Sequence, residues 1–195
     1  MEERKGVKTF YAQDGAAWRQ WLAEHHHQEK SVWLIIYKKN SGTPSVYYDE
    51  AVDEALCFGW IDSLANKRDE ESYYQFFARR NPKSKWSAVN KQKVERLIAE
   101  GRMTEAGMKM IELAKASGTW DALNDVENLV IPEDLQQLLD ANETAKNNWE
   151  GFSRSTKRAI LEWISNAKRP ETREKRVRET VAQAALNKKA NFPNQ

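Results

Sequence analysis

Apolar residues recur at helical spacing in some stretches and crowd into short unbroken runs in others, and the alternation of these two patterns organises the chain. From Asp14 to His27, Ala17, Trp18, Trp21 and Leu22 share one helical face behind Asp14 as N-cap, which predicts an amphipathic helix. Ser31-Val-Trp-Leu-Ile-Ile-Tyr37 is rich in β-branched and aromatic residues and is closed by Lys38-Lys39-Asn40-Ser41-Gly42. It predicts a buried strand and a turn, with Ser45-Val46-Tyr47 pairing back as a hairpin. Ala51, Val52, Ala55 and Leu56 then return to helical spacing. Glu50, Asp53 and Glu54 crowd the first turns of that helix, where its dipole favours negative charge, and Gly59 ends it.

Trp60–Leu64 and Tyr73–Ala78 flank the polar tract Asn66–Glu71 and predict an antiparallel pair joined by an exposed loop. Strand alternation sets Trp60, Asp62 and Leu64 on one face and Ile61 and Ser63 on the other. After Asn81-Pro82, Ser84 or Ser87 caps a helix running to Glu100 with Val89, Val94, Leu97 and Ile98 on its apolar side. A second helix, Thr104–Ser117, buries Met108, Ile111 and Leu113, and Gly118 stops it. A loop leads to Pro132 and a short helix with Leu135, Leu138 and Leu139. Ser153 caps a helix containing Ile160, Leu161 and Ile164, and Pro170 opens the last helix, through Val177, Val181 and Leu186. The stretch 188–195 reads as a frayed tail. The expected fold is α+β: a small, mostly antiparallel sheet packed by helices within residues 1–130, followed by an all-helical segment over 131–195.

Composition narrows the function classes. The 195 residues include eight Trp, six Tyr and six Phe, enough aromatic area for a real core. Lys+Arg 31 against Asp+Glu 29 leaves a net charge of +2, too little for the whole chain to act as a polycation. Charge is instead polarised: Arg154 to Lys189 holds 11 Lys/Arg against 4 Asp/Glu. The single Cys57 excludes an intramolecular disulfide and a cysteine metal cluster. The longest uncharged apolar run, Val32–Tyr37, is far too short to span a membrane, and no apolar stretch follows the N-terminus, so a cytoplasmic location is expected.

The string Glu50-Ala-Val-Asp-Glu-Ala-Leu-Cys-Phe-Gly-Trp-Ile-Asp-Ser63 resembles the signature of the bacterial YdeI/OmpD-associated, or bacteriocin-protection, family. The resemblance continues through Phe77-Ala78-Arg79-Arg80, Ser84, Trp86, Ser87, Asn90, Gly101, Met103 and Gly107, and ends in Trp163-Ile164 with Ala167–Arg173. It departs at Ala78, where Pro is expected, and at Ser63, where Gly is common. The resemblance implies an α+β core with a helical C-terminal part and, by the family's name, a role in tolerance of bacteriocins or antimicrobial peptides. It implies no reaction and no catalytic residues.

Two groups of residues are the best candidates for binding. Trp60 and Asp62 set a carboxylate beside an indole on one strand face; they read equally as a core residue and an acid paired with a cross-strand arginine. Arg79, Arg80, Ser84, Trp86, Ser87 and Asn90 bring two guanidinium groups, hydroxyls and a helix N-terminus into twelve residues, which suits a phosphate or carboxylate. Neither a GxGxxG nor a GxxxxGK[ST] pattern occurs, so the usual phosphate loops are absent.

The leading expectation is therefore a protein that binds a small anionic ligand in a stress or antimicrobial-peptide tolerance role, with no cofactor. One alternative is nucleic-acid binding through Lys168, Arg169, Arg173 and Arg176 on the basic C-terminal helices. Another is an enzyme acting on an anionic substrate, with Asp62 as base and the arginine pair as electrostatic clamp. His25-His26-His27 cannot all face one ion from a regular helix, and no metal is expected. Cys57, at a helix C-terminus, reads as a buried small hydrophobe, and Asp53/Glu54 read as an exposed acidic pair.

Overall fold

A computed structural model describes residues 3–192. The fold is α+β, and the chain divides into two compact units, Met1–Asp121 and Ala122–Gln195. The first holds a five-stranded sheet built from β1 (Glu3–Arg4), β2 (Val7–Tyr11), β3 (Ser31–Tyr37), β4 (Trp60–Lys67) and β5 (Ser72–Arg79), in the order β1-β2-β3-β5-β4. Only β2 and β3 run parallel, joined by α1 (Gly15–His25); the other neighbours are antiparallel. The unbroken apolar run of β3 is explained by its central place, since Val32 to Ile36 are all buried. On one face Val32, Leu34, Ile36 and Phe77 meet Trp18 and Leu22 of α1 and the apolar side of α2 (Tyr48–Cys57). On the other, Trp33, Ile35 and Tyr74 form a small cluster, and the Arg4 guanidinium lies 4.4 Å from the centre of the Tyr74 ring.

Ser45-Val46-Tyr47 is not a strand. Val46 is buried, but its N–H donates to the Ala12 carbonyl, and the Ser45 hydroxyl accepts from the Tyr37 N–H, so a side chain makes the bond that a hairpin would have made. α3 (Ala88–Ala99) and α4 (Glu105–Ser117) follow the expected stretches with a narrower apolar stripe. Val94, Leu97, Ile111 and Ala114 are buried, whereas Val89, Ile98 and Leu113 are exposed. β4 carries a bulge between Asp62 and Ala65, which leaves Leu64 at the surface.

α4 packs unusually close to the end of α2. The Cys57 carbonyl accepts from both the N–H and the hydroxyl of Thr104, the N-cap of α4, and this draws the first turn of α4 onto it. A Cβ at Gly107 would sit 2.3 Å from that carbonyl oxygen, so only glycine permits the approach. Gly107→Ala is expected to lower the stability of this unit by about 2 kcal/mol, the scale of an overpacked site, read as a lower thermal midpoint with α-helical circular dichroism retained.

The second unit contains α5 (Asn124–Glu127), α6 (Glu133–Asp140), α7 (Glu143–Gly151), α8 (Arg154–Ser165) and α9 (Pro170–Ala185). Its core gathers Leu123, Val126, Leu135, Leu139, Trp149, Ile160, Ile164 and Val177. Of the stretch 188–195 expected to fray, 193–195 lie outside the described residues, and Ala190 is buried. Among the described residues no helix is long and apolar enough to cross a membrane.

Candidate functional site

The loop between β5 and α3 is built around a buried cation. Arg79 is the last residue of β5 and Arg80 the first beyond it, and the two differ in burial. Arg79 is exposed and its Nε donates to the Glu29 carbonyl at 2.7 Å. Arg80 turns inward and is only 5% exposed. Its backbone N–H donates to the Gly59 carbonyl, its guanidinium lies 3.7 Å from the centre of the Trp86 ring, and Nη2 donates to the Lys85 carbonyl at 2.7 Å. Its Nε is buried with no hydrogen-bond partner, and no carboxylate pairs with Arg80 among the described residues. Burial pushes the guanidinium pKa down to about 10.

The rest of the loop supports that side chain. Ser84 donates to the Asn81 carbonyl, and Ser87 caps α3 by accepting from the Asn90 N–H. Trp86 is buried, with its N–H on the Thr119 carbonyl and its ring centre 5.1 Å from that of Trp120. No Asp or Glu occurs from Ser72 to Val94, so Arg79, Arg80, Lys83 and Lys85 lie in a stretch of sequence that contains no acidic residue.

Trp60 and Asp62 are placed differently from the loop. Trp60 is core: it is 1% exposed, packs edge-on against Trp21, and Nε1 donates to the His26 carbonyl. Asp62 is half-buried and opposite Phe77, and it accepts from the Tyr48 hydroxyl at 2.8 Å. Among the described residues no hydrogen bond or ion pair joins Asp62 to Arg79 or Arg80. Arg80, Trp86, Ser84, Ser87 and Asn90 thus make one local assembly, and Asp62 with Tyr48 makes another.

Burial, with the hydrogen bond to Asp62 second, raises the Tyr48 phenol from 10.0 to about 12. Since the folded value lies above the unfolded one, this group contributes stability that is complete below pH 10 and lost as pH rises through about 12. Tyr48→Phe is expected to remove one phenol from the late phase of a tyrosinate absorbance titration, and Asp62→Asn to shift that phenol to lower pH. An unchanged late phase in Tyr48→Phe would refute the assignment.

Sequence reasoning missed the largest charged cluster. Asp53 and Glu54 are buried, because α2 lies at the centre of the unit and its residues 51–57 are all enclosed. Glu54 bridges Arg19 and Arg102, each at 2.6 Å. Asp53 bridges Lys93 at 2.9 Å and Arg96 at 2.6 Å, and Glu100 links Arg96 to Arg102. With Asp49 on Lys93 the cluster is a continuous chain of four acids and four bases from Asp49 to Arg19. Cys57 beside it is buried, and that burial raises its thiol pKa, so it stays protonated at neutral pH. His25 and His26 each direct Nδ1 back to a carbonyl one helical turn earlier.

In the second unit Arg173 grips Asp134 through two bonds of 2.7 and 2.9 Å. Arg176 donates to the Trp163 carbonyl and stacks on its indole, while Lys168 and Arg169 are exposed before α9.

Residues 128–187 match the family model described as Bacteriocin-protection, YdeI or OmpD-Associated, and residues 10–110 match one described as Domain of unknown function (DUF8412). No curated protein and no solved structure matches the chain. The second of these models spans more than half of the 195 residues, and the chain belongs to the DUF8412 family, with a YdeI/OmpD-associated segment following at 128–187.

Proposed function

We propose that the protein binds a small anionic ligand at the loop Arg79–Asn90, and that this binding serves a stress or antimicrobial-peptide tolerance role in the cytoplasm. The observation that carries the reading is Arg80, a buried guanidinium with an unpartnered Nε and no acid beside it. A buried charge is ordinarily neutralised by a partner, and a phosphate or carboxylate drawn to this loop supplies one. The acid-free stretch around it and the N-terminus of α3 favour the same charge. The tolerance role is supported by the description of the family matched at 128–187.

The nucleic-acid alternative has less behind it, because two of its four residues, Arg173 and Arg176, are already engaged within their own unit. An enzyme using Asp62 as base is supported only by the exposed hydrogen bond from Tyr48.

Calorimetric titration of the full chain with inorganic phosphate and with citrate tests the proposal. Saturable binding is expected, retained in part by Arg80→Lys and weakened about thirtyfold in Arg80→Met. Equal affinity in the wild type and Arg80→Met would overturn it.

A further inference from the structure

The second unit contains a cavity of about 160 Å³. Its floor is apolar: Leu139 of α6 and Trp149 of α7 are almost fully buried, and Leu129 and Ile131 close the side. Four polar residues also line it: Lys146 and Glu150 from α7, Gln136 from α6 and Lys157 from α8, with Glu150 turned out to solvent and both lysines partly buried. Lys146 pairs with Asp140 at 2.8 Å. Lys157 donates to the backbone carbonyl of Glu150 at 2.9 Å and has no carboxylate partner among the described residues. An ammonium group at the edge of an apolar chamber is a site for a molecule with one apolar body and one negative end.

The backbone at the lip adds an independent observation. α5 ends in a Schellman arrangement: Leu129 N–H donates to the Val126 carbonyl and Val130 N–H to the Asp125 carbonyl. That geometry puts Leu129 at φ 56°, in the left-handed region where glycine is the favoured residue. The Leu129 side chain packs against the core of this unit and forms part of the cavity wall.

Size selects the ligand. Pockets for drug-sized molecules run from about 300 Å³ upward. A cavity of ~150 Å³ accepts benzene, so this one takes a single ring or a short branched chain. We infer that the cavity formed by Leu129, Leu139, Trp149, Lys146 and Lys157 binds a small aromatic or branched monocarboxylate of about the size of benzoate. This site is separate from the loop at Arg80 and stands or falls without it.

The test is a titration of the full chain with sodium benzoate, read by heat and by the indole N–H resonance of Trp149, assigned through Trp149→Phe. Benzoate is expected to bind saturably at millimolar concentration, at least tenfold more tightly than benzyl alcohol, its neutral counterpart, and than acetate, which has the charge without the ring. Lys157→Met keeps the apolar stem and is expected to weaken benzoate at least tenfold, with circular dichroism unchanged; Lys146→Met gives a second reading of the same charge effect. Leu129→Gly, which relieves the backbone, is expected to lose affinity without losing stability. The Trp149 resonance reports this cavity, which separates it from any carboxylate held at the Arg80 loop. The proposal is overturned if benzoate leaves the Trp149 resonance in place, if benzyl alcohol binds as well as benzoate, or if neither lysine substitution changes the affinity.

Discussion

Arg80→Met is expected to weaken phosphate binding about thirtyfold and at the same time to raise the thermal midpoint of the first unit. The two effects share one cause. Burial depresses the guanidinium pKa from 12.5 to about 10, which corresponds to roughly 3 kcal/mol spent on desolvating the charge. The Trp86 ring at 3.7 Å and the bond to the Lys85 carbonyl return part of that, about 2 kcal/mol. Methionine fills much of the same space against Trp86 with no charge to desolvate, so a net gain of about 1 kcal/mol is expected, or roughly 4 °C in the midpoint. The anion loses its charge-assisted bonds, about 2 kcal/mol or some thirtyfold in affinity. Arg80→Ala removes the packing as well and is expected to lower the midpoint. If methionine destabilises as much as alanine, Arg80 is a structural post and the loop is not a ligand site.

How far this picture was legible in the sequence depended on whether an element's partners were local. β3 was readable to its ends because a central strand is apolar on both faces and a turn cluster follows it. The caps Asp14 and Ser87 were readable because capping is a contact across three residues. β2 was not foreseen: Val-Lys-Thr-Phe-Tyr is short, and it is a strand because β3 lies parallel beside it, a pairing that no nearby residue encodes. α7 was missed for a related reason, since it buries only Ala145 and Trp149, one turn apart, and two positions make no period.

At the candidate site the sequence grouped Arg79 and Arg80 as two guanidinium groups of one loop, and only the packing of Trp86 against Trp120 shows that Arg80 alone goes inside. Asp53 and Glu54 were misread as exposed because acids in the first turns of a helix suit its dipole. Their bases, Arg19, Lys93, Arg96 and Arg102, stand 35 to 48 positions away.

Glu54→Gln should therefore give the largest loss of stability of any single change in this cluster, about 3 kcal/mol. Glu54 is 6% exposed and gives one oxygen to Arg19 and the other to Arg102, each at 2.6 Å. Burial acts to lower the pKa of both guanidinium groups, and the hydrogen bonds they donate to Glu54, with the one Arg102 donates to Glu100, more than reverse it. An amide can accept from only one of the two arginines, and its NH₂ faces the other cation. Asp53→Asn is expected to cost about half as much, because Arg96 keeps Glu100 and Lys93 keeps Asp49. Urea unfolding followed by circular dichroism measures both. Charge burial rather than shape is at stake, so replacing Glu54 by Leu together with Arg19→Met and Arg102→Met should recover most of the loss, as apolar substitutes for buried ion pairs do. If the triple variant is no more stable than Glu54→Gln, the cluster holds α1, α2 and the α3–α4 link through its geometry and not through its charge balance. Because the cluster has equal numbers of acids and bases and no ion pair to Arg80 among the described residues, Glu54→Gln should leave phosphate affinity at the Arg80 loop unchanged; a parallel loss would join the two into one site.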